Sequence, residues 1–212
     1  MQEALAALGN PVIHVDGMFI DEENQCIADD LYAKFKPTEP FLGFEPTGPG
    51  ADPQGTQMAT PGGNSELDLV SEYPIPTTNK LSAKELEANY RAYIETINSR
   101  RAETDLVKFV QPEVTFNNSL RTFGEYLSVL NMSQVAIPDL QLRIDVLVVH
   151  EETQRIAVQL LFSETPATEY AGLAAGRAVE FPEHYIYQLV DGKIQRAWSV
   201  IDMDSAREQS AE

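Results

Sequence analysis

Two long segments near the end of the chain flank a two-residue turn, and this arrangement constrains the fold more than any other feature. Residues 179–190 and 193–202 are joined by Asp191-Gly192, a dipeptide typical of the tight turn of a β-hairpin. The sequence therefore predicts two long antiparallel strands at the end of a sheet-containing domain.

The residues before this hairpin change from helical to alternating apolar spacing. Ser82 with Glu85, and Thr122 with Glu125, have the spacing of a capping box, and apolar residues at helical spacing follow each pair. A further short helix is expected near 106–110. From Leu140 onward apolar residues recur at every second position, which predicts strands. Helices followed by strands predict an α+β fold, with three N-terminal helices packed on one face of a curved antiparallel sheet.

The composition of the 212-residue chain excludes several classes of function. There are 33 Asp and Glu residues against 15 Lys and Arg residues, for a formal net charge of −18. Nucleic acids and anionic membrane surfaces both bind clustered basic residues, which are missing here. The longest apolar run, 146–149, is too short to span a bilayer, and the first residues lack the pattern of a signal peptide. We therefore expect a cytoplasmic protein that binds neither nucleic acid nor membrane.

The cysteine and histidine residues predict neither a disulfide nor a metal site. Cys26 is the only cysteine, so an intramolecular disulfide is impossible. His14, His150 and His184 are not at a spacing typical of metal ligands.

The first eighty residues are expected to lie outside the main domain. Residues 46–80 are rich in Pro, Gly and Thr and lack apolar periodicity, which predicts a flexible linker; an ordered arm lying on the domain is the alternative. Residues 14–48 align without a gap on 143–177, at an offset of 129 (145 − 16). This similarity predicts that residues 1–45 contain a partial, vestigial copy of a hairpin from the main domain; chance similarity between two hairpins is the alternative. The main domain is then expected at 81–204, and residues 205–212 form a tail.

An ordered set of short motifs resembles the SnoaL-like polyketide cyclases over about the last 120 residues of the chain. The first helix carries Tyr93 and ends at Asn98, and Ile137-Pro138-Asp139-Leu140 opens the strands. Val179-Glu180-Phe181 follows a loop that contains glycine. The most specific match is Asp191-Gly192-Lys193-Ile194, followed by Trp198 and Asp202. The loop 173–176 departs from the Pro-Thr-Gly that is usual in the family, although Pro46-Thr47-Gly48 in the first copy keeps it.

The resemblance implies a cone-shaped α+β barrel with a hydrophobic pocket, usually in a homodimer. It also implies a cofactor-free cyclase, isomerase or dehydratase that acts by acid–base catalysis on a polyketide-like or other small hydrophobic, enolisable substrate. The alternative on the same fold is a non-catalytic module for ligand binding or dimerisation, because fold alone does not establish function. A carboxylate buried in the pocket would favour the enzyme, and a pocket filled by its own side chains would favour the module.

Alternation along the last hairpin selects the candidate residues. A two-residue turn places Tyr185, Tyr187, Trp198 and Asp202 on one aromatic face. Asp202 is the predicted general acid–base, because burial beside aromatic residues would raise its pKa from about 3.9; a surface carboxylate that ends the strand is the alternative. His184 is a second catalytic candidate, although it reaches this face only if a bulge near Pro182 turns it.

Tyr185, Tyr187 and Trp198 are predicted to bind substrate, and two residues outside the hairpin complete the predicted site. Tyr93 is expected to bind substrate from the first helix, although it also fits the apolar stripe of that helix. Asn117 is expected to stabilise an enolate oxygen, although it also fits a turn after a strand.

Overall fold

The structure, a computed structural model, describes residues 12–21, 26–34, 73–201 and 203–211. The first two strands, β1 (Val12–Asp21) and β2 (Cys26–Lys34), pair with each other in a two-stranded sheet. No helix in the described part of the chain is long and apolar enough to cross a membrane.

The described residues from 74 onward form a mixed α+β domain with four helices and a curved six-stranded sheet. The helices are α1 (Ala83–Asn98), α2 (Ala102–Asp105), α3 (Phe123–Ala136) and α4 (Met203–Ala211), with a short 3₁₀ helix at Leu106–Lys108. The strands are β3 (Val110–Phe116), β4 (Ser119–Thr122), β5 (Gln141–His150), β6 (Arg155–Glu164), β7 (Val179–Val190) and β8 (Lys193–Ile201).

The six strands lie in the order β4-β3-β8-β7-β6-β5. All neighbouring pairs are antiparallel except β3 and β8, which are parallel. The sheet is therefore mixed, and the prediction of a wholly antiparallel sheet was wrong at this pair. Its pairing depends on contacts between residues about eighty positions apart, which alternation within a strand does not reveal.

Capping boxes begin the two longest helices where the sequence predicts them. The Glu85 carboxylate accepts a hydrogen bond from the Ser82 backbone N–H at 2.8 Å, and Glu125 accepts one from Thr122 at 2.8 Å. Each pair satisfies backbone N–H groups that the first turn of a helix leaves unpaired. The buried face of α1 packs its apolar and aromatic residues onto the sheet: Leu86, Tyr90, Tyr93, Ile94 and Ile97.

A β-bulge in the last hairpin changes its register. Val190 pairs with Lys193 and Leu189 with Ile194, but Gln188 pairs with Arg196. Gln195 is thus an extra residue in β8, and every later residue of β8 lies on the face opposite to the one that simple alternation predicts.

The two ends of the domain are held by contacts with β7 and its turn. Before α1, the backbone oxygen of Pro74 accepts a hydrogen bond from the buried Gln188 side chain at 3.0 Å. The sequence predicts a tail from residue 205, whereas residues 203–211 form α4, and its Ala206 is buried against Leu173, Val179 and Phe181. The rest of the predicted linker, 46–72, lies outside the described residues.

Strands β1 and β2 have the same spacing as β5 and β6. Val12 and Gln141 begin β1 and β5 at an offset of 129 (141 − 12), and Cys26 and Arg155 begin β2 and β6 at the same offset (155 − 26). The hypothesis of a duplicated hairpin, like the predicted domain boundaries, stays a prediction.

Candidate active site

Five tyrosine side chains meet on the inner side of the six-stranded sheet, and we refer to them as the tyrosine cluster. They come from α1, α3 and β7: Tyr90, Tyr93, Tyr126, Tyr185 and Tyr187. The rings of Tyr185 and Tyr187 stack with 5.0 Å between their centroids, and Tyr187 lies 5.3 Å from Tyr90. Tyr90 and Tyr93 share one face of α1 because they are three residues apart, and Tyr185 and Tyr187 share one face of β7 because they are two residues apart.

The hydroxyl groups of the tyrosine cluster remain protonated at neutral pH. Burial raises the pKa of Tyr126 to about 12, and burial likewise raises the pKa of each of the other four tyrosines well above its ordinary value. The hydroxyl oxygens of Tyr93 and Tyr126 are hydrogen-bonded at 2.7 Å. The cluster therefore offers protonated O–H groups in a largely buried setting.

The Glu183 carboxyl lies beside these hydroxyls. It precedes Tyr185 by two residues on β7, so both side chains point to the inner face, and it is only 2% exposed. Burial raises the pKa of Glu183 to about 8, although hydrogen bonds with Tyr185 and Ser199 favour its charged form. Its Oε1 atom has no hydrogen-bond partner among the described residues. At neutral pH this group is mostly protonated, yet its pKa is close enough to neutrality for it to donate and accept protons.

Asn117 positions Ser199 beside Glu183. The Asn117 side-chain oxygen accepts a hydrogen bond from the Ser199 backbone N–H at 2.7 Å, and its Nδ2 donates to the Ser199 backbone oxygen at 3.2 Å. Asn117 has a backbone φ of 43° in the turn between β3 and β4, a conformation that asparagine tolerates better than most residues. Both ends of the amide are thus used inside the protein, as expected for a residue that makes a turn.

A second buried carboxyl, Glu164, lies on the same inner face at the end of β6. Burial, and then the nearby charge of Asp139, raise its pKa to about 7. Glu164 is 6% exposed and pairs with Val179, whereas Glu183 pairs with Leu160 further along β6. The tyrosine cluster therefore lies closer to Glu183 than to Glu164 along the strands.

A groove of about 540 Å³ lies elsewhere, on the outward side of α3. Its lining is apolar or neutral: Gly124, Leu127, Ser128, Asn131, Met132, Val135, Ala136 and Thr168. None of these side chains titrates near neutral pH, so the groove cannot perform acid–base chemistry. The inner face with Glu183 is the better candidate for a catalytic site.

The structure brings together three of the residues that the sequence predicts for the site. Tyr93, Tyr185 and Tyr187 all belong to the tyrosine cluster. Tyr90, Tyr126 and Glu183 were not predicted as site residues. Glu183 carried a signal in the sequence, because it is the acidic residue between Phe181 and Tyr185 on an otherwise aromatic face.

Trp198 and His184 lie on the other face of the hairpin. Trp198 pairs with Ile186 rather than with Tyr185, because the bulge at Gln195 shifts the register by one residue. The prediction that Trp198 shares the aromatic face was therefore wrong. His184 is exposed and pairs with Val200, and the register is regular through Pro182, so no bulge turns His184 inward.

Asp202, the predicted general acid–base, lies outside the described residues, and its role stays a prediction. Within the described ranges, no group of His, Cys, Asp or Glu side chains could hold a metal ion.

Comparison with known proteins identifies relatives of the domain. The family model for the SnoaL-like polyketide cyclases matches residues 87–210, more than half of the chain. The crystal structure of a SnoaL-like polyketide cyclase from Agrobacterium tumefaciens strain C58 is 32% identical, with a TM-score of 0.55, and the match covers 58% of this chain and 96% of that one. No curated protein matches the sequence.

More distant structures share the fold. TsrD from Streptomyces laurentii is 20% identical, with a TM-score of 0.56, over 61% of this chain and 97% of its own. IdmH from Streptomyces antibioticus is 19% identical, with a TM-score of 0.53, over 60% of this chain and 99% of its own. The family match over residues 87–210 and the shared mixed α+β fold lead to one conclusion: the chain belongs to the family of SnoaL-like polyketide cyclases.

Proposed function

We propose that this protein is a cofactor-free acid–base enzyme that acts on a polyketide-like or other small hydrophobic, enolisable substrate. Cyclisation by aldol chemistry, isomerisation and dehydration all begin with removal of a proton beside a carbonyl group. The observation that carries the proposal is the Glu183 carboxyl, buried beside the tyrosine cluster with a pKa of about 8. An ordinary carboxylate is too weak a base for this step near neutral pH, whereas one with a raised pKa is suited to it.

In the proposed reaction, ionised Glu183 takes the proton next to the substrate carbonyl and returns it at a later step. The carbonyl oxygen gains negative charge as the proton leaves. Tyrosine O–H groups that stay protonated in a water-poor interior stabilise that charge by donating hydrogen bonds. Tyr93 and Tyr126 are suited to this role, because their hydroxyls already form a hydrogen-bonded pair at 2.7 Å.

The same proposal includes three further properties, of which the barrel and the homodimer come from the family resemblance and the cytoplasmic location comes from the composition of the chain. The inner face forms the inside of a cone-shaped barrel, closed by the three helices that precede β5. The outer face of the sheet forms a homodimer, and the enzyme works in the cytoplasm as part of secondary metabolism. Asp202 remains a candidate for a second acid–base group, and Trp198 has no place on the proposed inner surface.

The second candidate function is a non-catalytic module that binds a ligand or dimerises. The specific observation in its favour is that the tyrosine rings pack against one another, with centroids 5.0 Å to 6.2 Å apart. Such packing uses space that a substrate would occupy.

Deuterium exchange separates the two functions without knowledge of the natural substrate. 2-Tetralone, a small aromatic ketone with acidic C–H groups, is incubated with the protein in D₂O, and loss of its C1 proton signal is followed by NMR. The wild type should accelerate exchange, and the rate should rise with pH and level off above about 8, where Glu183 is ionised. Glu183→Gln should lower the enzymatic rate about 100-fold or more, the usual contribution of a general base.

The matched control is Glu180→Gln, which changes an exposed carboxylate on the same strand. It should leave the exchange rate unchanged. Equal rates for Glu183→Gln and the wild type, with both folded, would count against the proposed mechanism and favour the binding module.

A further inference from the structure

Arg121 is a cation placed on the inner side of the sheet, at the border of the tyrosine cluster. It pairs with Val114 across β3 and β4, so the two side chains share a face, and Val114 is fully buried in the core. The carbon at the centre of the Arg121 guanidinium group lies 5.1 Å from the centroid of the Phe116 ring. Arg121 is therefore half-buried over an aromatic ring instead of extending into solvent.

Phe116 connects this cation to the candidate active site. Its ring centroid lies 6.3 Å from that of Tyr185 and 6.5 Å from that of Tyr126. Tyr185 is in turn the neighbour of Glu183 on the inner face of β7. A cation and a carboxyl thus border the same aromatic surface, and the rings of Phe116 and Tyr185 lie between them.

Arg121 makes no direct ion pair among the residues that the structure describes, although the pKa of the nearby Glu125 carboxyl is lowered by hydrogen bonds from Thr122 and, to a smaller extent, by the charge of Arg121. The ion pairs found there involve Arg91, Arg101, Lys108, Arg143 and Arg207. A chain with 33 acidic and 15 basic residues offers many possible partners. The guanidinium group lies over the Phe116 ring, and guanidinium N–H groups can donate two parallel hydrogen bonds to a carboxylate.

We propose that Arg121 binds a carboxylate group of the ligand, so that the substrate class is an aromatic or polyketide-like acid. This inference rests on the proposed function. Arg121 holds the carboxylate at the edge strand β4, the carbon skeleton lies along the aromatic surface, and the carbonyl-bearing part points towards Glu183. Arg121 is a binding residue in this arrangement and takes no part in proton transfer.

Two probes of nearly equal size test the inference: 2-naphthoate, which is anionic, and 2-naphthamide, which is neutral. Their dissociation constants for the full chain are measured by isothermal titration calorimetry at neutral pH. The wild type should bind 2-naphthoate about 10-fold more tightly than 2-naphthamide, as expected for a charged, paired hydrogen bond. Arg121→Met removes the charge and keeps an apolar stem, so it should abolish this preference and leave the affinity for 2-naphthamide unchanged.

Two further variants control the measurement. Arg121→Lys keeps the charge without the planar donor pair and should retain part of the preference, which also tests the site if the methionine variant does not fold. Arg143→Gln removes an exposed arginine, ion-paired with Asp145 on β5, and should retain the full preference.

An equal affinity of the wild type for both probes, no binding of either probe, or a preference that survives in folded Arg121→Met would overturn the inference. Failure of the proposed function has a different signature, because it appears as a loss of deuterium exchange or of its dependence on Glu183. A carboxylate preference that depends on Arg121 in a protein without exchange activity would support Arg121 as the anion-binding residue of a binding module.

Discussion

Replacing Glu183 by glutamine should stabilise the protein by an amount that grows with pH. Glutamine has nearly the same shape as a protonated glutamate but cannot lose a proton. The Glu183 carboxyl is 2% exposed, and its pKa is raised from 4.5 to about 8, chiefly by burial. Between these two pH values the folded state keeps a proton that the unfolded state releases.

The direction and size of the effect follow from proton linkage. Where the folded state binds more protons than the unfolded state, the free energy of unfolding falls as pH rises, by about 1.4 kcal/mol per pH unit. The window spans about 3.5 pH units (8 − 4.5), so Glu183 costs about 5 kcal/mol by about pH 9 and nothing below about pH 4. The Glu183→Gln variant avoids this cost, because its amide does not titrate. Glu164, whose pKa is raised to about 7, is present in both proteins, and its charge adds to the cost of ionising Glu183.

The assay is urea unfolding of the wild type, Glu183→Gln and the exposed-site control Glu180→Gln at about pH 5, about pH 7 and about pH 9. The stability difference between Glu183→Gln and the wild type should widen at each step, whereas Glu180→Gln should follow the wild type. A difference that stays constant with pH would show that the pKa of Glu183 is not raised, and the proposed general base would lose its physical basis.

Two other predictions concern stability alone. A protein that begins at Leu81 should unfold more easily than one that begins at Tyr73, because it lacks the Pro74 oxygen to which the buried Gln188 side chain donates a hydrogen bond. An unpaired buried donor lowers the free energy of unfolding by about 1–3 kcal/mol. Equal melting temperatures for the two proteins would contradict the prediction. Asn117→Gly should lower the free energy of unfolding by about 1–3 kcal/mol, because it keeps the backbone conformation and removes the three hydrogen bonds that the Asn117 side chain makes with Ser199. Unchanged urea unfolding of this variant would show that the Asn117 amide does not hold β3 to β8.

Local signals in the sequence located much of the fold. The capping boxes at Ser82 and Thr122 involve residues three apart, so chain-local chemistry is sufficient to predict where α1 and α3 begin. Alternation likewise places Tyr185 and Tyr187 on one face of β7, because no bulge interrupts this part of the strand. The same rule failed across the turn, since nothing in the residue types around Gln195 distinguishes a bulged strand from a regular one.

The parts of the site that depend on non-local pairing could not be predicted. Arg121 lies on β4, a strand of only four residues, too short for alternation to be visible. Its inward orientation follows from pairing with β3, and β3 reaches the cluster only because it lies parallel to β8. Tyr126 was not singled out in the sequence, and only the packing of α3 beside α1 brings its hydroxyl to Tyr93.

The loss of folding stability caused by burying the Glu183 carboxyl helps to decide between the two proposed functions. A binding module needs shape and apolar surface at this position, and a glutamine or an apolar residue would supply them without destabilising the fold as pH rises. A carboxyl that is buried, lacks a hydrogen-bond partner at Oε1 and has a pKa of about 8 is costly to the folded state. The same features make it an effective base near neutral pH, so catalysis gives this residue a purpose that ligand binding alone does not. The packed tyrosine rings are compatible with a binding module, but they do not account for an ionisable group among them.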